Sequence, residues 1–565
     1  MTGLTLRVFL IQGSQAHWST TISPLASRAQ GSATRGVSMQ TLPVLKSTFG
    51  CCLSQFFATK FKLSRHYKRH LLSGVFLVIA TLLAIVGLSG QQFIFIPNRT
   101  LFGNPNGASE TYSTIGGGID LTGPFFQSLG TNGRSCATCH QPSDGMSVAA
   151  ANIQQRFVQT QGLDPIFRTN DGSNCNHSID VSTSAGRSAA YSLLRTRGLI
   201  RIAIGVPPNA DFRVMSVNNP YGCNESDTIS MYRRPLPATN LRFLSAVMLD
   251  GRESSPLTGT LKITYAAPPN NLDNLLSDLA HQSLDATNVH AQGDGSRPTP
   301  AERQQIVNFE MALSTAQIID NLAGRLDGRG ATGGPVPLTT QPFFISMNSS
   351  VDPLAPGVEP PGGLVMPGDS KFTQAIFNPF DAWASMPATS PKAAVVRGQA
   401  IFNSKPINIT GVAGINDPAA AGGLGVGDNP PLQGTCGTCH DTPNVGNHSF
   451  PTPLNIGTGD PDQSNPAVNL GGLDIRYLPS ITVCKLDLSS CKTTTDLGQA
   501  LIDGKFDHVG KIKGPILRGL SARAPYFHNG SAQTLLDAVH FYENRFGLIL
   551  TPEEESDLVA FLKTL

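Results

Sequence analysis

The chain has 565 residues, a length that predicts more than one domain. Only 14% of them are charged and the formal net charge is +2, so the basic footprint of a nucleic-acid-binding protein is missing and no nucleic-acid partner is expected. The 57 glycines and 41 prolines predict long loops between modest helices.

Residues 1 to 59 show neither helical nor strand periodicity and are assigned no fold, and Met39 is a plausible alternative start. Residues 60 to 90 read as a signal peptide or membrane anchor. Lys60, Lys62, Arg65, Lys68 and Arg69 precede the almost wholly apolar stretch 71 to 90. Gly87 and Ser89 suit a cleavage site, which favours a signal, although the stretch is long enough to span a bilayer uncleaved. Both readings send the C-terminal remainder of the chain out of the cytoplasm, and the periplasm is the expected location.

Cys136-Ala137-Thr138-Cys139-His140 is matched, 300 residues on, by Cys436-Gly437-Thr438-Cys439-His440. Cys-x-x-Cys-His is the attachment pattern of a c-type haem. Two thiols at this spacing reach the two vinyl groups of one porphyrin, and the adjacent His serves as axial ligand to the iron. The alternatives are a redox dithiol and a zinc site, which would need a second ligand pair and could find it between the two copies, but both copies carry the immediate His and the chain reads as exported. The pattern therefore predicts two covalent haem c groups, held by Cys136, Cys139, Cys436 and Cys439, with His140 and His440 on the irons. Of the remaining cysteines, Cys51 and Cys52 precede the apolar stretch. Proximity pairs Cys175 with Cys223 and Cys484 with Cys491, as an oxidising compartment allows.

In chain order, residues 100 to 326 form a first cytochrome c-like domain. Ala149 to Gln159 reads as a short helix, and 161 to 235 as irregular apart from a strand through Ile200, Ile202 and Ile204. Thr299-Pro300-Ala301-Glu302 supplies an N-cap, a proline for the first turn and a capping-box Glu, and Ile306, Phe309 and Leu313 give the helix that begins there an apolar face. Residues 327 to 390 read as a Gly/Pro-rich linker. Residues 391 to 565 form the second domain, opened by a helix at 391 to 403 and closed by one at Thr551-Pro552-Glu553-Glu554. His528-Asn529-Gly530 stands in the second domain where Leu249-Asp250-Gly251 stands in the first. A motif, a Pro-led segment with Asp/Asn-Gly, and a capped closing helix thus occur twice in the same order. The expected fold is mainly α, with two cytochrome c-type domains and long Gly/Pro-rich loops.

These residues resemble the bacterial di-haem cytochrome c peroxidase family, which includes the MauG-type enzymes. The matching pieces are the two motifs, LDGRE at 249 to 253, IVNFEMALST at 306 to 315, and LRGLSARAPYFHNGSAQTLLDAVHFY at 517 to 542. The resemblance implies a peroxidase that reduces hydrogen peroxide with electrons from a small redox donor, such as a monohaem cytochrome or a cupredoxin. It also implies a calcium ion between the haems, for which no ligands can be carried over. Alternatives are a non-catalytic di-haem electron carrier and a MauG-like oxidase acting on a protein. The chain departs from the family at three points. Leu249 stands where a bridging Trp is usual, and the tryptophans are Trp18 and Trp383. The Glu-Met pair that the classical peroxidases carry downstream of Asp-Gly-Arg is missing from the comparable stretch, about 281 to 292, which reads HQSLDATNVHAQ. No Met comes after Met386, so the second iron lacks a downstream Met ligand. Tyr542, fourteen residues after His528, occupies the position that is Tyr in the MauG type, and it is the expected sixth ligand opposite His440. A packed aromatic is the alternative for Tyr542. His290 is the candidate distal acid–base group over the first haem. His528 reads as a core residue bonding a propionate or the backbone.

Overall fold

The structure is a computed structural model that describes residues 94–176, 178–225, 228–244, 246–254, 270–341, 375–418, 427–447 and 453–565. The leader and the signal or anchor segment lie outside the described residues, as do His177, His448 and most of the predicted linker. No helix among the described residues is long and apolar enough to cross a membrane.

From Gln92 onward the chain forms one compact unit. Among the described residues, six helices of eleven or more residues frame it: α1 (Ala150–Thr160), α2 (Asn270–His290), α3 (Pro300–Ala312), α4 (Pro391–Ser404), α5 (Leu535–Phe546) and α6 (Pro552–Leu562). Both closing helices start as their sequences predict. In α3 the Thr299 side chain accepts from the Glu302 amide and the Glu302 side chain accepts from the Thr299 amide; in α6 Thr551 and Glu554 repeat the exchange. Two of the four backbone donors left free at each helix start are satisfied in this way. α5 is closed by Gly547 in the left-handed conformation.

The mainly α expectation is not met. Helix accounts for 32% of the interpretable residues and strand for 18%. A four-stranded antiparallel sheet joins Leu101–Asn104, Gly107–Ser113, Leu313–Asp320 and Gly324–Arg325 in that spatial order. A three-stranded sheet joins Phe212–Asn218, Ser480–Lys485 and Cys491–Thr494, so strands from before and after the predicted linker share one ladder. Strand Leu313–Asp320 continues directly from α3, and all but one of its residues are buried. A strand covered on both faces shows no alternation, so its sequence reads as a continuation of the helix. The stretch 161 to 235 carries the predicted strand, Ile200–Gly205, but also two short helices, Ser184–Ala190 and Ser192–Arg197. Both expected disulfides form: Cys175 to Cys223, and Cys484 to Cys491 across directly opposed strand positions.

The largest apolar cluster packs Phe377, Phe380, Trp383, Phe402 and Phe561 between α4 and α6. Gly398 lets these helices approach closely, because a Cβ there would lie 1.9 Å from the Asp557 carbonyl oxygen. Trp383 is fully buried in this cluster, donating from its indole to the Gly328 carbonyl.

Candidate functional site

Each Cys-x-x-Cys-His stretch folds into a single helical turn. Ser135 and Thr435 are the N-caps, and Thr138 and Thr438 return the capping bond to them. One turn brings the two cysteines, three residues apart, onto one face. The backbone amides of His140 and His440 both bond the carbonyl of the first cysteine at 3.0 Å. The imidazoles are fixed alike. His140 Nδ1 lies 3.0 Å from the Met146 carbonyl oxygen, and His440 Nδ1 lies 3.1 Å from that of Gly446. A carbonyl can only accept, so Nδ1 carries the proton and Nε2 is left with a free lone pair, the tautomer of a metal-ligating His. Burial lowers the pKa of both rings, that of His440 to about 4, which keeps them neutral at pH 7. Phe125 lies 6.2 Å from the His140 ring and is backed by Phe309; Phe402 lies 6.1 Å from the His440 ring and is backed by Phe561.

The four motif cysteines are free thiols. Burial pushes Cys136, Cys436 and Cys439 up to about 12 and Cys139 to about 11, the opposite of the depressed pKa that a redox dithiol uses. Among the described residues, the groups spaced to hold a metal ion are Glu253 with His281 and Asp285, and His540 with Glu543 and Glu555. Neither includes a motif cysteine.

One continuous cavity reaches all four thiols and both His rings, and its walls are mostly apolar. Its middle is built from two matching turns. Met248 to Gly251 and Phe527 to Gly530 each close by a bond from the final Gly amide to the first carbonyl, and in each the first and last residues have positive φ: 66° and 77° in one, 64° and 66° in the other. Glycine takes that conformation without a Cβ clash. Asp250 and Asn529 each accept from the amide two residues on. Leu249 is buried on the cavity wall, while Trp383 is not among the residues that line it. His528 also lines it, pushed down to about 4 by burial and 3.8 Å from Asp496.

Tyr542, on α5, lines the cavity on the His440 side, its second lobe, the His140 side being the first. Its hydroxyl lies 3.5 Å from His440 Nε2, and burial drives its pKa far above the ordinary range. His540, two residues earlier, points to Glu543 and Glu555 instead. In the first lobe, the ring of His290, the last residue of α2, is held through Nδ1 by Asp171 at 3.0 Å. Asp171 is itself gripped by Arg134 through two bonds of 2.6 and 2.9 Å. Burial works to raise Asp171, but the bonds from His290 and Arg134 outweigh it and hold the carboxylate below its usual range. His290 and His140 line the same lobe, and His290 disfavours the charged form of His140. His140 and His290 are thus brought together in one lobe, as are His440 and Tyr542 in the other.

Sequence reasoning missed Glu310. Aligning α3 on α6 by their caps gives an offset of 252, which pairs Ile306 with Leu558, Phe309 with Phe561 and Glu310 with Leu562. The acid therefore sits within the apolar stripe, and that misfit is the signal that could have revealed it. Glu310 is 6% exposed, lines the cavity beside Cys136, has no hydrogen-bond partner for Oε2, and is pushed up to about 8 by burial.

No family model matches the chain, and no curated protein does. Among solved structures, a variant of the di-haem peroxidase BthA from Burkholderia thailandensis is a distant neighbour: 16% identical, TM-score 0.26, covering 83% of this chain and 95% of that one.

Proposed function

We propose that the protein is a periplasmic di-haem c-type cytochrome that acts as a peroxidase-like oxidoreductase, taking electrons from a small redox protein and reducing hydrogen peroxide. The observation that carries this reading is the pair of equivalent Cys-x-x-Cys-His turns, with free thiols and unprotonated Nε2 atoms, opening onto one apolar cavity.

The residues fit the group. Cys136 with Cys139 and Cys436 with Cys439 would form the thioethers, and His140 and His440 the axial bonds. Tyr542, whose hydroxyl lies 3.5 Å from His440 Nε2, is placed where it could serve as a further ligand to the iron that His440 would hold. When bound, haem supplies the electron transfer to peroxide that no side chain can provide.

The chain supplies position and protons. Reduction of one peroxide consumes two electrons and two protons and yields two waters. His290 Nε2 is the group suited to move a proton between the peroxide oxygens, and Asp171 fixes the ring that carries it. The mostly apolar wall limits water in both lobes. A second reading, an oxidase of MauG type acting on a protein, is favoured by the approach of Tyr542 to His440.

Mass spectrometry of the exported protein tests the proposal: it should carry two haems covalently. EPR before and after peroxide should show one ferric centre that reacts. Bound zinc, or two inert low-spin centres, would refute the peroxidase reading.

A further inference from the structure

The middle of the cavity is lined by more buried positive charge than the protein itself neutralises. Apart from Arg134, which Asp171 neutralises, five cations line the cavity: Arg233, Arg234, Arg252, Lys513 and Arg523. Two carboxylates answer them. Asp250 pairs with Arg233 at 2.5 Å and Arg252 at 3.0 Å, and Asp496 pairs with Arg233 at 2.6 Å. Five positive charges against two negative leave a balance of three positive. Arg234, Lys513 and Arg523 carry it, and none of them has an ion-pair partner among the described residues.

All three bond only backbone carbonyls. Arg234 donates to Arg197, Val148 and Arg523 at 2.6 to 2.7 Å. Lys513 Nζ donates to Ala246 at 2.8 Å. Arg523 donates to Ile516 and Arg518, and its Nε has no partner. Burial pulls each below its ordinary pKa, Arg234 to about 9, Lys513 to about 7 and Arg523 to about 10. A cation in such a place is strongly unfavourable unless an anion joins it. Leu or Met would pack the same wall at no such cost, so three retained cations point to an anionic occupant.

The arrangement also repeats. Arg234 and Lys513 are 279 residues apart, as are Leu249 and His528. The Arg234 amide donates to the His528 carbonyl at 2.8 Å, and the Lys513 amide donates to the Leu249 carbonyl at 2.7 Å. Each half therefore presents one cation from the same backbone position, braced against the turn of the other half. Arg523 breaks the repeat, since its counterpart at the same offset is Leu244.

We infer that Arg234, Lys513 and Arg523 form a carboxylate-binding floor between the two motifs, and that its ligands are the propionates of the two porphyrins. This rests on the di-haem reading but not on peroxidase activity. The charge matches: two porphyrins bring four carboxylates to three uncompensated cations. The geometry also matches, because a porphyrin held by its thioethers at the motif end directs its propionate edge away from them. Both propionate edges would then face the wall where the two halves brace one another.

The test uses the haem-loaded protein. In the unmodified protein with 13C-labelled propionates, redox-difference infrared spectra should show carboxylates at neutral pH; a protonated-carboxyl band there would overturn the inference. Lys513→Gln, Arg234→Gln and Arg523→Gln should each keep two haems per chain, shift the propionate bending modes in resonance Raman spectra, and lower at least one midpoint potential, because a nearby cation favours the ferrous form. Arg523→Lys, which keeps the charge, should restore most of the potential. Unmoved propionate modes and potentials in all three glutamine variants, with both haems attached, would overturn the inference alone. Protein that carries no haem would overturn the di-haem reading and the inference with it.

Discussion

Replacing Glu310 by leucine, the residue at the equivalent position of α6, should stabilise the protein by an amount that grows with pH. Glu310 has a pKa of about 8 when folded, raised by burial from the usual 4.5. A carboxyl raised on folding is harmless while both states hold the proton. Above 4.5 the unfolded chain releases its proton and the folded chain does not, so stability falls until the pH passes the folded value of about 8. At 1.36 kcal/mol per pKa unit, the loss is about 1 kcal/mol at pH 5, about 3 at pH 7 and about 5 at pH 9. Leucine removes this slope and also the unpartnered oxygen. Urea unfolding of haem-loaded native and Glu310→Leu protein, monitored by tryptophan fluorescence at those three pH values, measures it. The gap between the two curves should widen from pH 5 to pH 9. Parallel curves would show that Glu310 is compensated in the folded protein and that burial does not set its proton affinity.

Tyr542→Phe removes the hydroxyl that lies 3.5 Å from His440 Nε2 and should leave the second iron five-coordinate or water-bound; unchanged absorption and EPR spectra for both haems would exclude Tyr542 as a ligand. His290→Gln should lower kcat/KM for peroxide by about 10²–10⁴-fold with haem content intact. Asp171→Asn, acting through the His290 ring, should lower it by a smaller factor and alter the pH–rate profile, and a double variant no worse than His290→Gln would confirm that the two act as one unit. Leu249→Trp puts an aromatic on the cavity wall between the motifs and should speed peroxide-driven oxidation of the second haem in stopped-flow traces, whereas slowing would remove this position from the electron path.

By itself the sequence determined the parts whose physics is local. A Cys-x-x-Cys-His turn is five residues long and its local geometry is set by spacing, so both turns could be read directly. Capping boxes are equally local, which is why α3 and α6 begin where Thr299 and Thr551 predict. Both disulfide pairings came from proximity along the chain. The strand after α3 was not legible, because burial on both faces erases the alternation that marks a strand, and it is one of several small-sheet strands that overturn the mainly α expectation. Nor was helix α2, whose polar sequence hides that its last residue, His290, meets Asp171 from 119 residues away. Only tertiary structure could bring Arg234 beside Arg523 and Lys513 against Leu249, because desolvation depends on everything that surrounds a charge and not on its neighbours in the chain. The same reason turns Glu310, in the sequence only a misfit within an apolar stripe, into a neutral acid in the fold.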